Sequence, residues 1–142
     1  MYLLKKQVIL LSRNSSGNTK KQIPKKKIDI EFESENKSEY FKLFLEQIIL
    51  IKSANNYIEV IYKKDDKIAK KLIRNTLKNT ATLLEKYSEI VRCHRSYMVN
   101  KNYIKKFTKG SDGLILSMFD YPHQIHVSRQ YVLKVKEVLA GS

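Results

Sequence analysis

The chain is 142 residues long, about one domain at the usual ~100–200 residues per domain, and its 42% apolar and 30% charged side chains suit a folded core. Lys and Arg total 28 against 14 acids, a formal charge of +14, so an anionic partner is expected: nucleic acid first, acidic membrane second, acidic protein third. The lone Cys93, three scattered His and the lack of an uncharged apolar run near ~20 residues argue against a disulfide scaffold, a small metalloenzyme and an integral membrane protein.

Residues 1–27 carry eight cations and no acid, residues 28–44 two cations and five acids, and residues 45–142 eighteen cations and nine acids. The apolar patch Val8–Leu11 is short and lacks a small-residue cleavage site, which makes a poor signal peptide. Ser12–Lys27 reads as a flexible basic arm, because it has too little apolar surface to offset its ordering entropy. This divides the chain into a basic N-terminal arm or linker, 1–27, with a short apolar helix, and a globular domain, 28–142.

Ile28, Ile30 and Phe32 alternate with acids, the pattern of a strand with one wet face. Ser34–Lys37 is a turn, Tyr40–Leu45 a second strand and Gln47–Lys52 a short apolar run suited to a buried strand. Ser53–Asn56 breaks that run. Tyr57–Tyr62 and Ile68–Leu72 flank a hairpin tip at Lys63–Asp66. Asn75 is placed to cap a helix with Leu77, Ala81 and Leu84 on one face, ending near Tyr87-Ser88. Ile90–Cys93 is strand-like, and His94–Asn102 has no clean period. Tyr103–Thr108 and Leu114–Phe119 pair across a turn at Lys109–Gly113, and Asp120–His123 is another turn, before the strand Gln124–Val127. Ser128 then caps a terminal helix with Val132, Val135 and Leu139 on one face. About nine strands with no strand–helix–strand alternation point to a mainly β, antiparallel fold with one central helix and a short C-terminal one.

Catalytic chemistry is poorly represented. Four Gly are too few and wrongly spaced for a phosphate loop, and Asp65-Asp66 is a solvated turn. His94, His123 and His126 read as strand and turn residues before they read as metal ligands. Cys93 has Arg92, His94 and Arg95 beside it, yet strand alternation turns it inward as a small hydrophobe.

Between Val91 and Lys109 stand six cations, Arg92, Arg95, Lys101, Lys105, Lys106 and Lys109, and no acid. Ser96, Asn100 and Asn102, interleaved with them, are side chains that bond phosphates or base edges. A guanidinium on a short turn, as at Arg95, can make a bidentate contact to guanine; the competing reading is a surface ion pair.

The segments ILIKSANNYIEV (Ile49–Val60), IRNTLKNTATLLEKY (Ile73–Tyr87), IVRCHRSYMVNKNYIKKF (Ile90–Phe107) and IHVSRQYVLKVKEVL (Ile125–Leu139) resemble, in order and spacing, the LytTR DNA-binding domain family. RCHRSYMVN and VSRQY are the most specific pieces. The resemblance implies an elongated set of small β-sheets that reads double-stranded DNA from loops, as the output domain of a bacterial response regulator. It places base-reading residues at Asn56 or Tyr57, at Arg95 and at Arg129. Lys101, Lys105 and Lys109 would hold phosphates. Arg92, His94, Ser96, Asn100 and Ser128 would hold phosphates or support the turns. It further implies copies on direct repeats, a homodimer on DNA, a cytoplasmic regulator answering to a sensor kinase or membrane-linked partner, and neither a cofactor nor a small-molecule substrate. No receiver domain precedes the matched region in this sequence. The rival expectation is a basic adaptor that docks on an anionic membrane or acidic protein through its N-terminal segment. A single-stranded RNA binder ranks third, since it needs Tyr57, Tyr62, Tyr103 and Phe107 exposed.

Overall fold

A computed structural model describes residues 27–111 and 113–141. The expected basic arm and apolar patch of residues 1–26 lie outside the described residues.

Ten strands and two α-helices follow one another: β1 (Asp29–Glu33), β2 (Tyr40–Phe44), β3 (Ile48–Ala54), β4 (Tyr57–Lys64), β5 (Lys67–Arg74), α1 (Leu77–Leu84), β6 (Ile90–His94), β7 (Tyr97–Asn100), β8 (Ile104–Gly110), β9 (Gly113–Met118), β10 (Tyr121–Val127) and α2 (Val132–Ala140). Single 3₁₀ turns occupy Leu45–Gln47, Lys101–Tyr103 and Arg129–Tyr131. The strands build three sheets: a hairpin β1-β2, a central sheet in the order β5-β4-β3-β7-β6, and a three-stranded sheet β10-β9-β8. Every pairing is antiparallel.

The central sheet is covered on both faces, and β3 shows why. Ile48, Ile49, Leu50 and Ile51 are all 0% exposed, so this strand reads as an unbroken apolar run instead of an alternating one. One face packs Ile51, Ile58, Val60, Ile73 and Met98 against Ile30 and Phe32 of the hairpin and Leu77 and Leu84 of α1. The other packs Leu50, Ile61, Val91 and Val99 against Leu114, Leu116 and Ile125 of the three-stranded sheet and Val135 of α2. Each fully buried Ile or Leu contributes about 1.5–3 kcal/mol. At the edge, β5 leaves Ile68 and Leu72 half exposed, and Lys67, Lys70 and Lys71 guard it against further strand pairing.

Local chemistry moves several predicted boundaries. Ser53 and Ala54 continue β3, and the break is only Asn55-Asn56, with Asn55 at φ 60°. Asn accepts that left-handed conformation more readily than most residues. Asp65 and Asp66 both have positive φ, as a two-residue hairpin turn of the primed kind requires. The cap of α1 is Thr76, one residue beyond Asn75, because extended Thr76 sets its Oγ1 3.0 Å from the Asn79 N–H. Asn75 instead ties the helix to the hairpin, its Nδ2 donating to the Glu33 carbonyl at 2.8 Å. The helix closes at Leu84, earlier than the sequence pattern suggested. The turn expected at Asp120–His123 is Phe119-Asp120, with Asp120 at φ 64°, and Pro122 sits in the edge strand β10, where a missing N–H is tolerated. Ser128 stands at the start of the last 3₁₀ turn, but its side chain makes no capping bond.

Candidate nucleic-acid interface

Antiparallel register decides which turns share an end of the central sheet. Tyr57 of β4 faces Ala54 of β3 on one side and Arg74 of β5 on the other. Lys52 of β3 faces Tyr97 of β7, which faces His94 of β6. The Asn55-Asn56 and Arg95-Ser96 turns therefore lie side by side, and the Ser53 N–H donates to the Ser96 carbonyl at 3.0 Å. The third segment joins through the Ser128 N–H, which donates to the Cys93 carbonyl at 2.9 Å and sets Arg129 beside His94. Gly110, Ser111 and Gly113 meet them there, lining a cavity of about 330 Å³ with His94, His126, Ser128 and Arg129. Five strands at ~4.8 Å spacing make this rim roughly 19 Å wide.

Asn56, Tyr57, Arg95 and Arg129 are exposed on it, as is Lys109 beside Gly110. Neither Arg95 nor Arg129 forms an ion pair among the described residues. The sequence reading missed Arg74, whose guanidinium lies 5.7 Å from the centre of the Tyr57 ring. Its signal was the hairpin register, which places it opposite the residue after the Asn-Asn turn. His126, in sequence a strand or turn residue before a metal ligand, lines the cavity shared with His94 and Arg129. An acidic turn bounds the rim laterally, where the Glu35 N–H donates to the Arg74 carbonyl at 2.9 Å.

The Arg95 turn is braced by side chains. Arg92 Nε donates to the His94 carbonyl at 3.0 Å and Arg92 Nη2 to the Arg95 carbonyl at 2.9 Å. The Ser96 N–H donates to His94 Nδ1 at 3.0 Å, which requires an unprotonated Nδ1. Burial, then the charge of Arg95, then His126 and Arg92 hold the His94 pKa below its ordinary 6.5, in agreement with that bond. Cys93 faces inward at 0% exposure, as strand alternation implied. Burial pushes its thiol up to about 12 against the opposing pull of Arg92, so no reactive thiolate forms.

Three predicted residues are held elsewhere. Asn100 is 1% exposed; its Nδ2 donates to the Ile48 carbonyl at 2.8 Å and its Oδ1 accepts from the Asn102 N–H at 3.0 Å. That amide fastens two chain segments and presents no surface to a phosphate. Lys101 follows it at the end of β7 away from Arg95, where its N–H donates to the Glu89 carbonyl at 2.8 Å. Lys105 stands near the Phe119-Asp120 turn, about 17 Å of strand from Gly110 at ~3.3 Å per residue.

Among the described residues no group of three or more His, Cys, Asp or Glu is placed to hold a metal, and no helix is long and apolar enough to cross a membrane. What the sheets and the rim define is a β-scaffolded module that presents cationic turns to an anionic ligand. The family model of the LytTr DNA-binding domain matches residues 38–140, and the chain belongs to that family. The matched region is therefore a DNA-binding domain of transcription regulation, from a family of binding modules and not of enzymes. A solved structure of similar fold is the LytTr DNA-binding domain of a Bacillus cereus protein described as a methyl-accepting/DNA response regulator, with a TM-score of 0.60 at 20% identity, covering 82% of this chain and 98% of that one. An uncharacterized response regulatory protein of Vibrio cholerae serotype O1 is 37% identical over 60 residues, 42% of this chain. The match spans 25% of that relative's length.

Proposed function

We propose that the rim reads a specific duplex sequence through the major groove. Arg95 and Arg129 each pair with a guanine through O6 and N7, and Asn56 or Tyr57 contacts a third base, Asn56 an adenine or Tyr57 a thymine methyl. Lys109, at the same end, holds a phosphate and sets register without reading sequence. His94, Ser96 and Ser128 support the turns. The observation that carries this reading is the meeting of three polar turns on one end of the central sheet, with both guanidinium groups exposed and unpaired with acids among the described residues.

Two copies occupy direct repeats as a homodimer on DNA, each with residues 28–142 as the reading domain and residues 1–27 as a basic arm. The kinship with response regulators favours a cytoplasmic protein answering to a sensor kinase or to a membrane-linked partner. A gel-shift series on specific and scrambled duplexes tests the base-reading roles. Arg95→Ala loses about 1–3 kcal/mol of discrimination at one base position and leaves scrambled-duplex binding nearly unchanged. Equal losses on both duplexes would remove Arg95 from base reading.

A further inference from the structure

We infer that Arg92 is a positioning residue that clasps the Arg95 turn to the Arg129 turn, setting base preference without touching DNA. The inference rests on the DNA-reading role of the rim. Arg92 is the cation nearest Arg95 in β6, so its charge alone suggests another phosphate contact. Its geometry points inward instead. Nε and Nη2 hold two successive carbonyls, those of His94 and Arg95, at 3.0 and 2.9 Å. The same guanidinium lies 6.0 Å from the centre of the Tyr131 ring. Tyr131 closes the turn that carries Arg129, its N–H donating to the Ser128 carbonyl at 2.8 Å, while the Ser128 N–H returns to the Cys93 carbonyl at 2.9 Å. Residues 92–95 and 128–131 thus form one closed circuit through a single planar cation.

Only arginine suits this position. A planar fork reaches two carbonyls while its face rests near a ring; an ammonium on a flexible stem reaches one. Holding both turns in advance of binding lowers the ordering cost when their guanidinium groups meet bases. Displacing the clasp therefore degrades two base contacts at once, at positions that Arg92 never reaches.

The test uses the full chain, a duplex that the wild type selects from a randomised pool, and single-base variants of it. Arg92→Lys keeps the charge and the stem, and Arg92→Gln removes the charge. Both should lower the specific-to-scrambled affinity ratio at least about tenfold, with discrimination falling at the positions read by Arg95 and by Arg129 together. Under Arg92→Lys the salt dependence should stay unchanged and the amide hydrogen exchange of Ser96 and Tyr131 should quicken together. Equal weakening on all duplexes under Arg92→Gln, with a salt slope lower by about 0.9, would assign Arg92 to a phosphate and overturn the clasp. Unchanged exchange at Ser96 and Tyr131 would overturn it as well, whatever the affinity data show. A wild type that selects no sequence overturns base reading at the rim instead, and the exchange data still judge the clasp.

Discussion

At the scale of single residues, His94 couples the rim to pH. Its Nδ1 accepts the Ser96 N–H, and burial, then Arg95, His126 and Arg92, disfavour a charge on the ring. The unfolded chain binds this proton more readily than the folded one. Stability from His94 is therefore complete above pH 6.5 and declines as the pH falls toward the lowered folded-state value. Thermal melts between pH 7.5 and 5 should show a larger drop for the wild type than for His94→Gln; matching drops would separate His94 from the effect. Cys93 gives a second residue-level expectation. With its thiol buried and pushed up to about 12, iodoacetamide at pH 8 should label it only through unfolding, at rates that follow denaturant concentration.

Elements explain what the sequence disclosed and what it withheld. The strands of the hairpin and of the three-stranded sheet were readable because Ile30 and Phe32 alternate with acids over one covered face, and Leu114, Leu116 and Met118 recur at every second position between turn residues. The span 94–102 was opaque because three short pieces share it: a two-residue turn, the four-residue β7 and a 3₁₀ turn. No period develops over so few residues. Asn100 shows the same limit for the site. In sequence it is one more polar residue among cations, and only the fold brings the Ile48 and Leu45 carbonyls to its amide. Asn100→Ala leaves those acceptors and the Asn102 N–H unmatched, and should cost about 2–4 kcal/mol in urea unfolding. A loss confined to DNA affinity, with stability intact, would contradict this account. Arg95 and Arg129 were legible as candidates through family resemblance, but their adjacency is a product of register and of the Ser128–Cys93 bond, which no local pattern encodes.

For the whole molecule, the two ends of the central sheet differ in how their cations are partnered. Arg74, Arg95 and Arg129 gather at one end with Lys109, whereas the cations at the other are interspersed with acids: Lys63, Lys64 and Lys67 flank Asp65 and Asp66, Lys27 pairs with Glu46, and Lys63 pairs with Asp120 at 3.0 Å. Lysines of equal formal charge should then behave unequally on DNA. Lys109→Ala should flatten the salt slope of binding by about 0.9, whereas Lys105→Ala should leave it unchanged. Anisotropy titrations across a salt series compare them, and equal slopes for the two variants would oppose an end-on approach to the duplex. The same polarity governs how the chain can be mounted. Lys27 pairs with Glu46 and the Ile28 carbonyl accepts the Leu45 N–H, so β1 begins at the end of the sheet opposite the cationic turns and runs toward them. A biotin or bulky carrier attached ahead of Lys27 would be anchored at the back of the domain, leaving the reading surface unobstructed for immobilised assays.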